Sequence, residues 1–223
     1  MIMKKIIRIL ILTSILIVGV LGIVFTAKST DFMGGSVIFN YFTVQSNIFA
    51  ILMALIFLCN EVVLLIFKKS FINQVLLYLK FAATIAVTLT FIVFFTMLAP
   101  LVGINYFLSF NNFSLHAIVP ILAIVDFILF DTDINLTYQK SLIGTAMPLY
   151  YVFFVYIGVP FNLQYGENLK FPYFFMDYET NGFLFEKGFG VIPWIIVLFV
   201  VVSGLCALFC FVIKKRQKVS EKK

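Results

Sequence analysis

Thr43 and His116 are the two side chains of this sequence whose types and placement can do chemistry together. An imidazole takes a proton from a hydroxyl, and a threonine relieved of its proton attacks an ester carbonyl. His116 is the only histidine, and it sits within residues 81–125, a stretch of 45 that carries no charged side chain. A titratable ring in such a run is a functional candidate, because polar groups are expensive in lipid. Thr43 belongs to the segment Asn40-Tyr41-Phe42-Thr43-Val44-Gln45-Ser46-Asn47, and His116 closes Asn111-Asn112-Phe113-Ser114-Leu115-His116. The carboxamides of Gln45, Asn47 and Asn112 are candidates to donate to an oxyanion or to bind substrate. Thr43 also has plainer readings as a helix cap, and His116 as an interfacial residue with a satisfied hydrogen bond.

Composition decides what holds these residues in place. Apolar residues make up 63% of the chain and charged residues 12%, with a mean hydropathy of +1.11. A soluble domain has about 45–50% and about 25%. The chain is therefore read as an integral membrane protein. Its apolar runs lack the alternation of barrel strands, which leaves an all-α, polytopic bundle. Charges divide the sequence into uncharged windows at 9–27, 33–60, 81–125, 141–166 and 188–213. One membrane helix needs about 20 residues, so the third window holds two. Pro100, Gly103, Asn105, Ser109, Asn111 and Asn112 supply the turn between them. Six transmembrane helices are predicted, at about 6–27, 42–67, 75–98, 113–131, 141–160 and 190–213, in a single membrane domain over 1–223. The first run is too long for the roughly 7–15 residues of a signal-peptide core, so it is read as retained.

Orientation follows from the basic residues. With the N-terminus inside, 13 of the 16 fall on the inner side, including the basic tail at 214–223. Both termini are predicted to be cytoplasmic, and 161–188 becomes an extracellular aromatic loop. The tail accounts for most of the net charge of +6 and suits anionic lipid better than nucleic acid. Cys59, Cys206 and Cys210 are scattered, and with one histidine they build no metal site. No glycine-rich phosphate loop occurs, and no cofactor is expected.

This topology sorts the intramembrane polar residues by depth. The second and fourth helices run inward, so Thr43 and His116 each lie about one turn below the outer boundary. Asn40, Thr43 and Asn47 are spaced for one helical face, as are Asn112 and His116 for another. Two polar faces at one level are satisfied by turning toward each other. Near the inner boundary stand Glu61, Lys80 and Asp126, read as a structural charge cluster in which Lys80 pairs with Glu61 or Asp126.

The arrangement resembles the androgen-induced-protein-like family of six-span membrane hydrolases, including its bacterial branch. In the animal members, a threonine opening the second span and a histidine opening the fourth hydrolyse fatty acid esters of hydroxy fatty acids. The matching positions are Thr43 in Tyr41-Phe42-Thr43 and His116 in Leu115-His116-Ala117-Ile118-Val119-Pro120. Phe171-Pro172-Tyr173-Phe174 matches the aromatic–proline–aromatic segment before the last span. Gln45-Ser46-Asn47 is more polar than the animal segment, and the proline after the histidine is offset by about one residue. The resemblance implies a threonine-dependent esterase of the bacterial cell membrane, acting on long-chain acyl esters of membrane lipids. A transporter or lipid-binding protein that uses the same polar cluster only for recognition is the alternative from a different class. A structural partner in a larger assembly is a third.

Overall fold

Lipid offers the backbone no hydrogen-bond partner, so each apolar run closes its own N–H and C=O groups as helix. The computed structural model describes residues 2–29, 35–101, 108–167 and 169–220, and among these all regular structure is helical. Six helices are long and apolar enough to cross a membrane: α1 (Ile2–Lys28), α2 (Phe42–Phe67), α3 (Gln74–Leu101), α4 (Phe110–Phe130), α5 (Tyr138–Phe161) and α6 (Val191–Ser220). The chain is an integral, multi-pass membrane protein. Six spans bring both termini to one end of the bundle, the terminal end. The connections α1–α2, α3–α4 and α5–α6 lie at the other, the loop end.

Local chemistry sets the helix ends. Asn73 Oδ1 accepts from the Leu76 N–H at 3.0 Å to start α3, and Thr137 Oγ1 accepts from the Lys140 N–H at 3.1 Å to start α5. Lys68, in the left-handed region at φ 58°, stops α2. Several predicted boundaries move: α1 begins at Ile2, α3 runs on to Leu101 through the predicted turn residue Pro100, and α5 begins at Tyr138. Two more have a visible cause. α4 begins at Phe110 and not at 113, because Ser109 takes the extended cap conformation and the Asn112 amide donates back to its hydroxyl at 3.0 Å. Asn111 and Asn112 are thus helical. α6 runs on to Ser220 through Lys214, Lys215, Arg216 and Lys218, because long cationic side chains reach water while their backbone stays paired. The predicted turn residues Gly103 and Asn105 lie outside the described residues, as do Lys222 and Lys223 of the tail.

α3 is the axis of the bundle, buried without interruption over residues 80–90. Because lipid tails are as apolar as leucine, helices associate through close packing, and α3 supplies small residues for it at Ala82, Ala83 and Ala86. α2, α4, the first half of α5 and α6 surround it, while α1 packs on α2 and α4. Phe81, Phe127 and Phe209 form a ring cluster with centroids 5.5–6.4 Å apart. Two glycines permit the tightest approaches. A Cβ on Gly22 would stand 2.3 Å from Ser114 Oγ, and one on Gly144 would stand 2.6 Å from Cys206 Sγ. Beyond Gly144 the geometry changes: Tyr138–Thr145 packs on α6, but Ala146–Gly158 parts from it toward the loop end. A wedge-shaped space opens there between α5 and α6.

Candidate functional site

Two irregular helical turns build the loop end of that space. Ser114–Ile118 in α4 and Phe94–Leu98 in α3 are π turns, with Val119 N–H donating to the Ser114 carbonyl and Ala99 N–H to that of Phe94, five residues back in each case. Each is followed two residues later by a proline, Pro120 and Pro100. Proline removes a backbone donor and crowds the carbonyl four residues before it, and widening the preceding turn relieves both problems. The first wide turn presents His116. The second presents Phe94, whose ring stacks on the imidazole with centroids 3.8 Å apart at 21°.

His116 Nδ1 lies 2.9 Å from the backbone carbonyl of Asn112. A carbonyl only accepts, so Nδ1 carries the proton, and in the neutral ring Nε2 keeps its lone pair. That lone pair faces the Thr43 hydroxyl, with Nε2 and Oγ1 3.2 Å apart. The hydroxyl donates to a nitrogen whose tautomer is fixed from behind, which is the arrangement of a nucleophile, a base and an orienting group.

Thr43 is the second residue of α2, so its N–H is among the donors that a helix start leaves unpaired. The first turn of α2 is instead satisfied by tyrosines. Tyr151 donates to the Asn40 carbonyl at 2.9 Å and accepts from the Phe42 N–H. The Tyr173 hydroxyl meets the Thr43 hydroxyl, the N–H groups of Phe42 and Thr43, and the Tyr151 hydroxyl. Burial pushes the Tyr173 phenol up to about 12 despite these hydrogen bonds, so it keeps its proton and remains a donor. Tyr173 belongs to the loop between α5 and α6, which roofs the site and is tied down. Tyr41 donates to the Tyr165 carbonyl, Asn40 to that of Gln164 at 2.8 Å, and Tyr156 to that of Met176 at 3.0 Å.

The predicted carboxamides stand beside this centre and outside its pocket. Gln45 Nε2 donates to the Phe39 carbonyl at 3.0 Å, and Asn112 Nδ2 goes to Ser109. Asn47 spends its amide on the carbonyls of Thr43 at 2.7 Å and Leu115 at 3.0 Å, clamping α2 to α4 next to the dyad. Asn40 lies in the 3-10 turn Gly35–Asn40, two residues before α2 starts, so it shares no α2 face with Thr43 and Asn47. Replacing Asn47 by Leu takes this donor from the buried Leu115 carbonyl, at a cost of about 1–3 kcal/mol, while the Thr43 carbonyl still accepts from Ser46 Oγ at 3.1 Å. A thermal melt of the detergent-solubilised variant at wild-type stability would contradict this clamp.

The other polar group lies at the terminal end. Asp126 is ten residues beyond His116, about 15 Å along the helix. Lys80 pairs with Asp126 and, at 2.5 Å, with Asp131. Glu61 pairs with Arg8 at 3.1 Å, not with Lys80, and Arg8 also meets Asp131 at 2.5 Å and Asp126 at 3.8 Å. Both cations lie over the Phe57 ring, Arg8 at 5.4 Å and Lys80 at 4.0 Å. Sequence reasoning missed Arg8, which counts there only as a flanking topology residue, and Asp131, the last residue of the predicted fourth span. It also missed Tyr173 and Phe94 as parts of the site; the prolines after the two wide turns are the signal that could have marked Phe94. Among the described residues no cluster of acidic, histidine or cysteine side chains is arranged to hold a metal ion.

No family model, curated protein or solved structure matches the chain, so the chemistry rests on the geometry of these side chains.

Proposed function

We propose that this protein is an intramembrane esterase that cleaves long-chain acyl esters of lipids, with Thr43 as nucleophile and His116 as general base. The observation that carries the reading is the contact between Thr43 Oγ1 and His116 Nε2, 3.2 Å apart at the head of an apolar pocket. His116 takes the Thr43 proton as Oγ1 bonds to the ester carbonyl carbon, and the carbonyl π electrons move to oxygen. The Tyr173 O–H is the donor that meets this oxyanion, and the positive end of the α2 dipole supports it. The tetrahedral adduct collapses, the C–O bond to the alcohol breaks, and His116 returns its proton to the leaving oxygen. Water then attacks the acyl-threonine by the same route, releasing the acid and restoring Thr43.

The basic residues gathered at the terminal end support a cytoplasmic position for that end, which sets the dyad about one turn beneath the outer surface, within reach of water. Likeness to the bacterial branch of six-span hydrolases supports a bacterial cell membrane. The test is turnover of acyl esters by the purified protein in detergent. Release of acid from p-nitrophenyl decanoate or palmitate above that of empty micelles supports the reading. Saturable binding with no release from any ester defeats it in favour of a lipid-binding protein.

Tyr173→Phe removes one donor to the oxyanion while leaving the ring contacts with Tyr41 and Phe175. The expected result is a fall in kcat of about 10²-fold with little change in KM. An unchanged kcat would remove Tyr173 from the mechanism.

A further inference from the structure

The pocket headed by Thr43 and His116 runs between α3, α5 and α6, and among its lining residues none carries a charge. On α6 it is lined by Ile195, Leu198, Phe199 and Val202, the spacing of one helical face over about 10 Å. Its far end is closed by Leu89 and Val202, both buried. Phe175 and Met176 of the tied-down loop close it from above, and both are buried as well. Its sides differ. Leu149 on α5 and Phe199 on α6 line the pocket and are yet 38% and 45% exposed, at the place where the two helices part. That exposed surface faces lipid, not water, in a bundle of this kind.

We propose that this pocket is an acyl-chain site, loaded sideways from the leaflet at the loop end through the gap between α5 and α6, with Leu89 and Val202 setting the longest chain it accepts. The proposal rests on the hydrolase reading only for what happens at its head. Apolar walls without a cation accept an alkyl chain and leave a phosphate or carboxylate outside. A roof held by hydrogen bonds at Asn40, Tyr41 and Tyr156 favours a route through the membrane over one from water. The occupant is therefore the acyl chain of a membrane-dissolved ester, with its carbonyl delivered to Thr43 and its alcohol part toward the surface.

Two measurements test it separately from turnover. The full-length Thr43→Ala protein in phospholipid vesicles is irradiated with a palmitoyl ester carrying a terminal diazirine, and the labelled peptides are mapped. The expected result is label on Leu89 and on the pocket face of α6 near Val202, competed away by unlabelled ester. Label spread over lipid-facing positions such as Leu10 and Ile17 of α1, without competition, overturns the proposal. In wild type, Val202→Trp and Leu89→Phe, rates on p-nitrophenyl butyrate and palmitate are then compared. The palmitate-to-butyrate ratio is expected to fall about tenfold or more in each folded variant; a ratio unchanged in both overturns the assignment of the floor. Competed label at Val202 with no ester cleaved supports the acyl site and defeats the hydrolase reading. Cleavage without competed label does the reverse.

Discussion

Thr43→Ala and His116→Ala each lower acyl-ester hydrolysis by about 10⁴-fold or more, and the double variant is no worse than the weaker single one. The non-additivity is the informative part. A hydroxyl without its base and a base without its hydroxyl are both idle, because the 3.2 Å contact between them is what makes the nucleophile. Thr43→Ser keeps the hydroxyl and retains turnover. Neither alanine variant is expected to lose its fold, since the α2–α4 clamp is made by the Asn47 side chain and the Thr43 and Leu115 backbones. Rates on p-nitrophenyl decanoate, with a thermal melt of each variant, decide the matter. Alanine variants that hydrolyse within about threefold of wild type would leave the dyad without a catalytic role.

Arg8→Met is expected to be the most damaging substitution for the fold. Arg8 is the common partner of Glu61, Asp126 and Asp131, and two cations already face three carboxylates. Without Arg8, Lys80 is left with three buried acids. Removing one partner of a buried pair costs on the order of 3–5 kcal/mol, and here three carboxylates lose the same partner. Set against total stabilities of about 5–15 kcal/mol, that is enough to depress recovery of folded protein. A second substitution, Glu61→Gln, removes the carboxylate whose one ion-pair partner is Arg8 and should restore part of the loss. Melting temperature and yield of monodisperse protein measure both effects. If Arg8→Met melts as wild type does, Arg8 is a topology residue only, and the network does not hold α1 to α2 and α4.

Much of this was legible in the chain because lipid imposes simple rules. Uncharged windows of sufficient length predict helices, and alternating direction sorts polar residues by depth, which sets Thr43 and His116 at one level. What stayed hidden depends on features without local periodicity. Asn47 and Asn112 look like free donors in sequence, but close helix packing gives their amides carbonyl partners. Arg8 reads as a flanking charge because its partners come from three remote segments. Tyr173 is 130 residues from Thr43, on a loop whose path no helical pattern dictates. The π turns were within reach: Pro100 and Pro120 each follow a run that cannot keep its regular ladder.

The central claim is that Thr43 carries the acyl group, and the mass of the protein during turnover tests it most directly. Wild type mixed with p-nitrophenyl decanoate and quenched in acid should show a decanoyl adduct, located by peptide mapping on Thr43 and absent from Thr43→Ala. Steady turnover with no adduct, or with the adduct on another residue, would contradict the account.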